Sequence, residues 1–125
     1  MTGVLIDTHV FLWWVSWSAR IKDEWTTLMT DSANTVYLSA ASAWEIETKR
    51  RINKLDFEDD VAAIGEKFGF EELAVSISDA ALAGSMDWDH RDPFDRVLVA
   101  QAIRAGLVIL SADEAMRSAP GVRVL

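Results

Sequence analysis

Short apolar runs alternate along the chain with stretches whose apolar residues recur at helical spacing. That alternation predicts a mostly parallel sheet flanked by helices, an α/β fold. Val4-Leu5-Ile6 reads as a buried first strand ending at Asp7, and residues 9–17 as a helix. A second helix is expected from Ser18, as N-cap, to about Asn34, carrying Ile21, Trp25 and Leu28. Val36-Tyr37-Leu38 reads as a second strand, followed by a helix that Ser39 caps and that ends near Arg51. Residues 58–68 are helical by pattern, with Gly69 as the stop. Leu73-Ala74-Val75 is the expected third strand, and Ser78 the expected cap of a short helix through Leu82. After a polar loop at 85–91, Asp92 as N-cap and Pro93 at the first helical position start a helix that stops at Gly106. Residues 107–110 read as a fourth strand. Ser111 opens a short helix, and Val122 to Leu125 is a candidate edge strand.

The expectation is therefore one domain over residues 1–125, with four or five strands and helices on both faces. The length fits one domain. Half the residues are hydrophobic, enough for a core without covalent staples. The absence of cysteine excludes disulfides, thiolate metal sites and cysteine nucleophiles. The N-terminus lacks the basic start and cleavage site of a signal peptide, and Val10 to Trp17 is too short to span a membrane. A soluble, cytoplasmic protein is expected.

The net charge is −8, whereas general nucleic-acid-coating proteins are basic. Contact with a phosphate backbone therefore requires a local basic patch or a bound cation. In parallel α/β sheets ligands bind beyond the carboxyl ends of the strands. That rule singles out four acids: Asp7 after the first strand, Glu45 in the helix after the second, Asp95 in the first turn after Pro93, and Asp113 after the fourth strand. Each also has a structural role open to it. Asp7 can cap a helix, Asp95 complements a helix dipole, Asp113 is a first-turn acid in a possible Ser111–Glu114 capping box, and Glu45 can lie on the surface. Capping does not account for Glu45, which sits inside a helix. Converging carboxylates repel unless a cation offsets them, and an oxygen-only donor set suits Mg²⁺ or Mn²⁺. Such ions activate water and stabilise the charge that develops on a phosphodiester. Metal-dependent phosphodiester cleavage is the chemistry this pattern predicts.

The segments VLIDTHVFLWW (4–14), LSAASAWEIETK (38–49), HRDPFDRVLVAQA (90–102) and LVILSADEAM (107–116) resemble the successive motifs of the PIN-domain ribonucleases, above all the VapC-type toxins of bacterial toxin–antitoxin pairs. The likeness covers nearly the whole chain. It implies an α/β/α sandwich, an Mg²⁺- or Mn²⁺-dependent endoribonuclease acting on RNA, inhibition by a cognate antitoxin protein, and a homodimer. By position Asp7, Glu45, Asp95 and Asp113 match the family's four acids, with Asp7 and Asp95 as the most direct ligands. Ser111 stands where the family often has threonine. Asp92 competes with Asp95 as a ligand but suits an N-cap. Ser39, Ser42 and Ser111 are read as caps or positioning groups, and Thr8 as a partner for a carboxylate near the metal. His9 and His90 are read as partly exposed structural residues.

Lys49, Arg50, Arg51 and Lys54 cluster where cations favour a helix C-terminus. Arg91 and Arg96, nearer the acids, are the better candidates for phosphate contacts. Six tryptophans are many for this length. The helix bearing Trp13, Trp14 and Trp17 is apolar nearly all round, so a partner groove shared with Trp25 is expected. Two other readings compete: a catalytically silent PIN-like module that binds RNA or protein, and a phosphoacceptor receiver domain. The receiver reading lacks its paired acids after the first strand and its lysine after the fourth.

Overall fold

The computed structural model describes residues 2–125. Four strands form a parallel sheet in the order β3-β2-β1-β4. They are β1 (Gly3–Ile6), β2 (Thr35–Ser39), β3 (Glu71–Leu73) and β4 (Val108–Leu110). The helices are α1 (Thr8–Val15), α2 (Asp23–Thr30), α3 (Ala40–Arg51), α4 (Val61–Lys67), α5 (Ile77–Ser85), α6 (Pro93–Ala105) and α7 (Glu114–Arg117).

β1 is the centre. It pairs with β2 through Val4↔Val36 and Ile6↔Leu38, and with β4 through Leu5↔Ile109. A strand covered on both faces must be apolar without alternation, and Val4, Leu5 and Ile6 are fully buried. Alternate residues nevertheless feed different layers. Val4, Ile6 and Leu110 pack with Val10, Phe11, Trp25 and Ile46 on one face. Leu5 and Ile109 pack with Leu98, Val99, Ala102 and Met116 on the other. Gly3 opens β1, and a Cβ there would lie 2.5 Å from Leu107 Cδ2, the end of a side chain that can move aside.

The chain leaves β1 for β2 on one side and returns to β4 on the other. The last residues run beside β4 on its outer edge, through a single parallel bridge between Ile109 and Val124. The expected fifth strand is thus a bridge, held by Ile109 N–H to Arg123 O and Leu125 N–H to Ile109 O. Connections diverge between β1 and β4, and Asp7 and Ser111 directly follow the carboxyl ends of those two strands, the end at which ligands bind in such sheets.

Several boundaries differ from the sequence pattern. α2 begins at Asp23, not Ser18, and ends at Thr30. Ser18 instead accepts a hydrogen bond from Arg20 N–H, a local turn that competes with helix, while Asp23 and Glu24 place negative charge at the true start. α5 is capped by Ser76 rather than Ser78, through a capping box with Asp79. β3 lies two residues earlier than expected. Asp113, not Ser111, caps α7. Asp92, Pro93 and a left-handed Gly106 (φ 69°) bound α6 as the sequence predicts, and Ser39 caps α3.

Trp25 is fully buried and donates from Nε1 to Leu125 O at 3.1 Å, with Trp13 stacked against it. It is therefore a core residue, and the expected partner groove does not include it. Trp13 and Trp14 are half-buried, and only Trp17 of that group stands out in water. No helix among the described residues is long and apolar enough to cross a membrane.

Candidate metal centre

The carboxyl ends of β1, β2 and β4 lie side by side because the three strands are parallel and in register. Asp7 follows β1, caps α1 and accepts a 2.8 Å bond from Val10 N–H through Oδ1. Helix α3, launched by Ser39 at the end of β2, carries Glu45 inward, where it is 4% exposed. Thr8 Oγ1 donates to Glu45 Oε1 at 2.6 Å and lies 3.0 Å from Ser42 Oγ. Thr8 thus orients a carboxylate, as the sequence suggested, and Ser42 supports the contact. Ser39 caps α3 and donates to the buried Gln101 Oε1 at 2.6 Å, which anchors α6 to the end of β2.

Asp92 spends its Oδ1 on Phe94 N–H and Asp95 N–H, the capping role expected of it. That turn presents Asp95 to the rim, where it pairs with His90 Nε2 at 2.7 Å. One donor atom each from His90, Asp95 and Asp113 lies within 4.8 Å of the other two, the one such group among the described residues. Asp113 is exposed and accepts from Ala115 N–H. Asp7 and Glu45 stand outside that group and are joined to it by charge. Glu45 raises the proton affinity of both Asp7 and Asp95.

The acids strain against one another. Burial pushes the Asp7 carboxyl above its ordinary pKa, and the Glu45 charge adds to the effect. The Ser111 side chain and the Val10 amide act in the opposite direction. Burial is the main reason that Asp95 stands at about 6; His90 opposes it, and the charges of Asp92 and Glu45 act in the same direction as burial. Lys49 enters from the next turn of α3. Its Nζ sits 2.6 Å from Glu45 Oε2. The bond to Glu45 raises its pKa, and the charges of Asp92 and Asp95 contribute. An ammonium thus already occupies the edge of the pit as a stand-in cation. Oxygen donors dominate the set, two of them are costly to ionise, and a lysine is drawn among them. These features fit a hard divalent cation, with His90, Asp95 and Asp113 as the residues whose donor atoms are gathered to hold it.

Two of these residues lie outside the site that the sequence predicts. The sequence groups Lys49 with its basic neighbours, although its spacing of four from Glu45 is the available signal. His90 reads as structural in the sequence, because its partner, five residues on, meets it only once the 85–91 loop folds back onto α6. Arg96 differs in the other direction. It donates to the carbonyls of Ala83, Met86, Trp88 and His90, so it clamps that loop and is not free to hold phosphate. Arg50 likewise serves structure, through Glu47, Phe57 O and Asp59 O. Arg91 remains exposed, as does His9, which lies beside Trp13.

Three solved structures share the whole architecture. VapBC from Salmonella typhimurium bound to DNA matches with a TM-score of 0.71 at 16% identity, over 100% of this chain and 98% of that one. A toxin–antitoxin complex from Klebsiella pneumoniae matches at 0.67 and 13%, over 98% and 95%. VapBC2 from Rickettsia felis, bound to a promoter DNA fragment, matches at 0.64 and 10%, over 99% and 98%. At such identities the likeness is one of fold. No curated protein matches the chain in sequence. The PIN-domain family model does match, over residues 4–122, and the chain belongs to the PIN-domain family.

Proposed function

We propose that the protein is an Mg²⁺- or Mn²⁺-dependent endoribonuclease, the toxin of a toxin–antitoxin pair, held inactive by a cognate antitoxin. PIN domains are generally nucleases that use divalent metals. The observation that carries the reading is the convergence of one donor atom each from His90, Asp95 and Asp113 within 4.8 Å. When bound, the metal supplies a more acidic water and a positive charge opposite the phosphodiester. The chain's own groups do the rest. His90, Asp95 and Asp113 would hold the ion, with Asp7 added by the family resemblance, and Glu45 is fixed by Thr8 so that its other oxygen faces Lys49. A carboxylate of the cluster would accept the proton of the attacking water. The Arg96 clamp fixes the backbone of His90 and so the face of the pit. The toxin role, the antitoxin partner, a homodimer and a cytoplasmic setting draw support from the fold shared with the VapBC complexes.

The test is digestion of total RNA by the purified, antitoxin-free chain with Mg²⁺ or Mn²⁺. Cleavage should stop with a chelator and with Asp7→Asn. Cleavage by Asp7→Asn at the wild-type rate would remove the carboxylate–metal mechanism. A second reading, a silent RNA- or protein-binding PIN module, is favoured by one feature: Glu45 and Asp95 already have Lys49 and His90 as partners. It predicts RNA binding without products in either metal.

A further inference from the structure

We propose that Trp44 and Phe94 form a stacking platform for one nucleobase of a single-stranded RNA at the lip of the acid pit. The inference rests on the nuclease reading above and adds the means of holding the substrate. Trp44 precedes Glu45 on α3, and Phe94 precedes Asp95 on α6. One residue along a helix turns the side chain by about 100°. The acids therefore face the pit while their aromatic neighbours stand at its edge. The two rings meet edge to face, 4.8 Å between centroids and 74° between planes. A clasp between α3 and α6 needs only one edge of the indole, yet Trp44 is 60% exposed.

The state of the nearby cations says what that exposed face is for. A chain of net charge −8 cannot hold a polyanion by its general field. Around the rim, Arg96 is committed to four carbonyls and Lys49 to Glu45, leaving the exposed Arg91 and Arg117 for phosphate. Little backbone neutralisation is on offer. A nucleobase is flat and uncharged, and it stacks on an aromatic face without adding to the repulsion.

The test uses the full chain carrying Asp7→Asn, so that binding is read apart from cleavage. The probe is a fluorescein-labelled single-stranded RNA of roughly 12 nucleotides, with Mg²⁺ present. Trp44→Ala should weaken binding about 5- to 100-fold, and Trp44→Phe should recover most of it. In an abasic scan of the RNA, one position should reproduce the Trp44→Ala loss and lose little more when combined with it. Varying KCl at fixed Mg²⁺ should give a shallow dependence, with a log–log slope of about −1 or smaller in magnitude. Unchanged affinity in Trp44→Ala overturns the platform, while cleavage by the wild-type chain would keep the nuclease reading standing. If the parent binds no RNA and the wild-type chain cuts none, both fall. If Trp44→Ala converts a dimer to a monomer in light scattering without weakening RNA binding, the face joins two copies and the platform is overturned.

Discussion

Asp79 and Asp95 occupy the same slot in successive helices that pack on one another. Each is the third residue of its helix, α5 or α6, three positions after a capping Ser76 or Asp92. Each is withdrawn from water. Their electrostatics are opposite. Burial would raise Asp79, but the Ser76 amide at 2.9 Å, Arg104 at 3.0 Å and the Ser76 hydroxyl outweigh it and hold the carboxyl below its ordinary pKa. Burial, with Asp92 and Glu45 acting the same way, leaves Asp95 at about 6, and the His90 ring at 2.7 Å only partly offsets it. One acid is complete within the fold. The other is left short of positive charge, and that shortfall separates a candidate ligand from a structural acid in the same sequence position.

Replacing each by asparagine should pull the two apart. Asp95→Asn should lower RNA cleavage by at least about 100-fold, since removing even an outer-shell partner of a metal site costs 10- to 100-fold. The same change should raise the thermal midpoint of the metal-free protein at pH 7.5 by about 3–6 °C, because a carboxylate that is costly to ionise disappears. Asp79→Asn should do the reverse. It removes the charge that Arg104 faces and weakens the capping box, so the midpoint should fall by about 3–6 °C with cleavage unchanged. Scanning calorimetry beside a cleavage assay reads both. A fall in midpoint for Asp95→Asn would mean that Asp95, like Asp79, is structural.

Acid titration sharpens the contrast. Asp95 has a folded pKa above its unfolded value, so its stability contribution is fully present below about pH 4 and is lost as pH rises through about 6. Asp79 has a lowered folded pKa, so its contribution is present above about pH 4 and is lost as pH falls through the lower value. The midpoint gap between wild type and Asp95→Asn should therefore open from pH 4 to 6 and then level off. For Asp79→Asn the gap should close on going below pH 4. Thermal midpoints measured from pH 3 to 8 test both, and a gap for Asp95→Asn that stays constant across this range would contradict its raised pKa.

The comparison also locates what the sequence could and could not reveal. The places of Asp7, Asp95 and Asp113 were legible because strand ends and helix starts follow from local pattern; of the four acids only Asp95 and Asp113 have donor atoms within 4.8 Å of one another, and His90, not Asp7 or Glu45, joins them. Capping by Asp92, Pro93 and Ser39 is equally local. The electrical difference between Asp79 and Asp95 was not legible, since it depends on Arg104 and Glu45, which are distant in the chain or placed by helix phase. The same holds for Arg96, whose four acceptors exist only once the 86–91 loop folds back. Ser18 misled because a good N-cap residue also makes a turn by itself. Trp25 misled because an aromatic surplus says nothing about which rings the core takes.

The smallest expected effect concerns Lys49, the cation at the edge of the pit. Its Nζ bonds Glu45 at 2.6 Å while the head group remains partly exposed, so solvent screens much of its charge. Lys49→Met keeps the length of the stem and removes the ammonium. If Lys49 stands in for a divalent ion, its loss should tighten Mn²⁺ binding, by about 2- to 5-fold in low salt and less in high salt, as expected of a partly exposed charge. If Lys49 instead holds Glu45 in place for the ion, the same change should weaken Mn²⁺ binding and lower the thermal midpoint, because Glu45 would be left buried with only Thr8 as partner. Calorimetric titration with Mn²⁺ at two salt concentrations separates these outcomes. Tighter binding would extend the contrast with Arg104, since one cation would then substitute for what its acids lack while the other completes its partner.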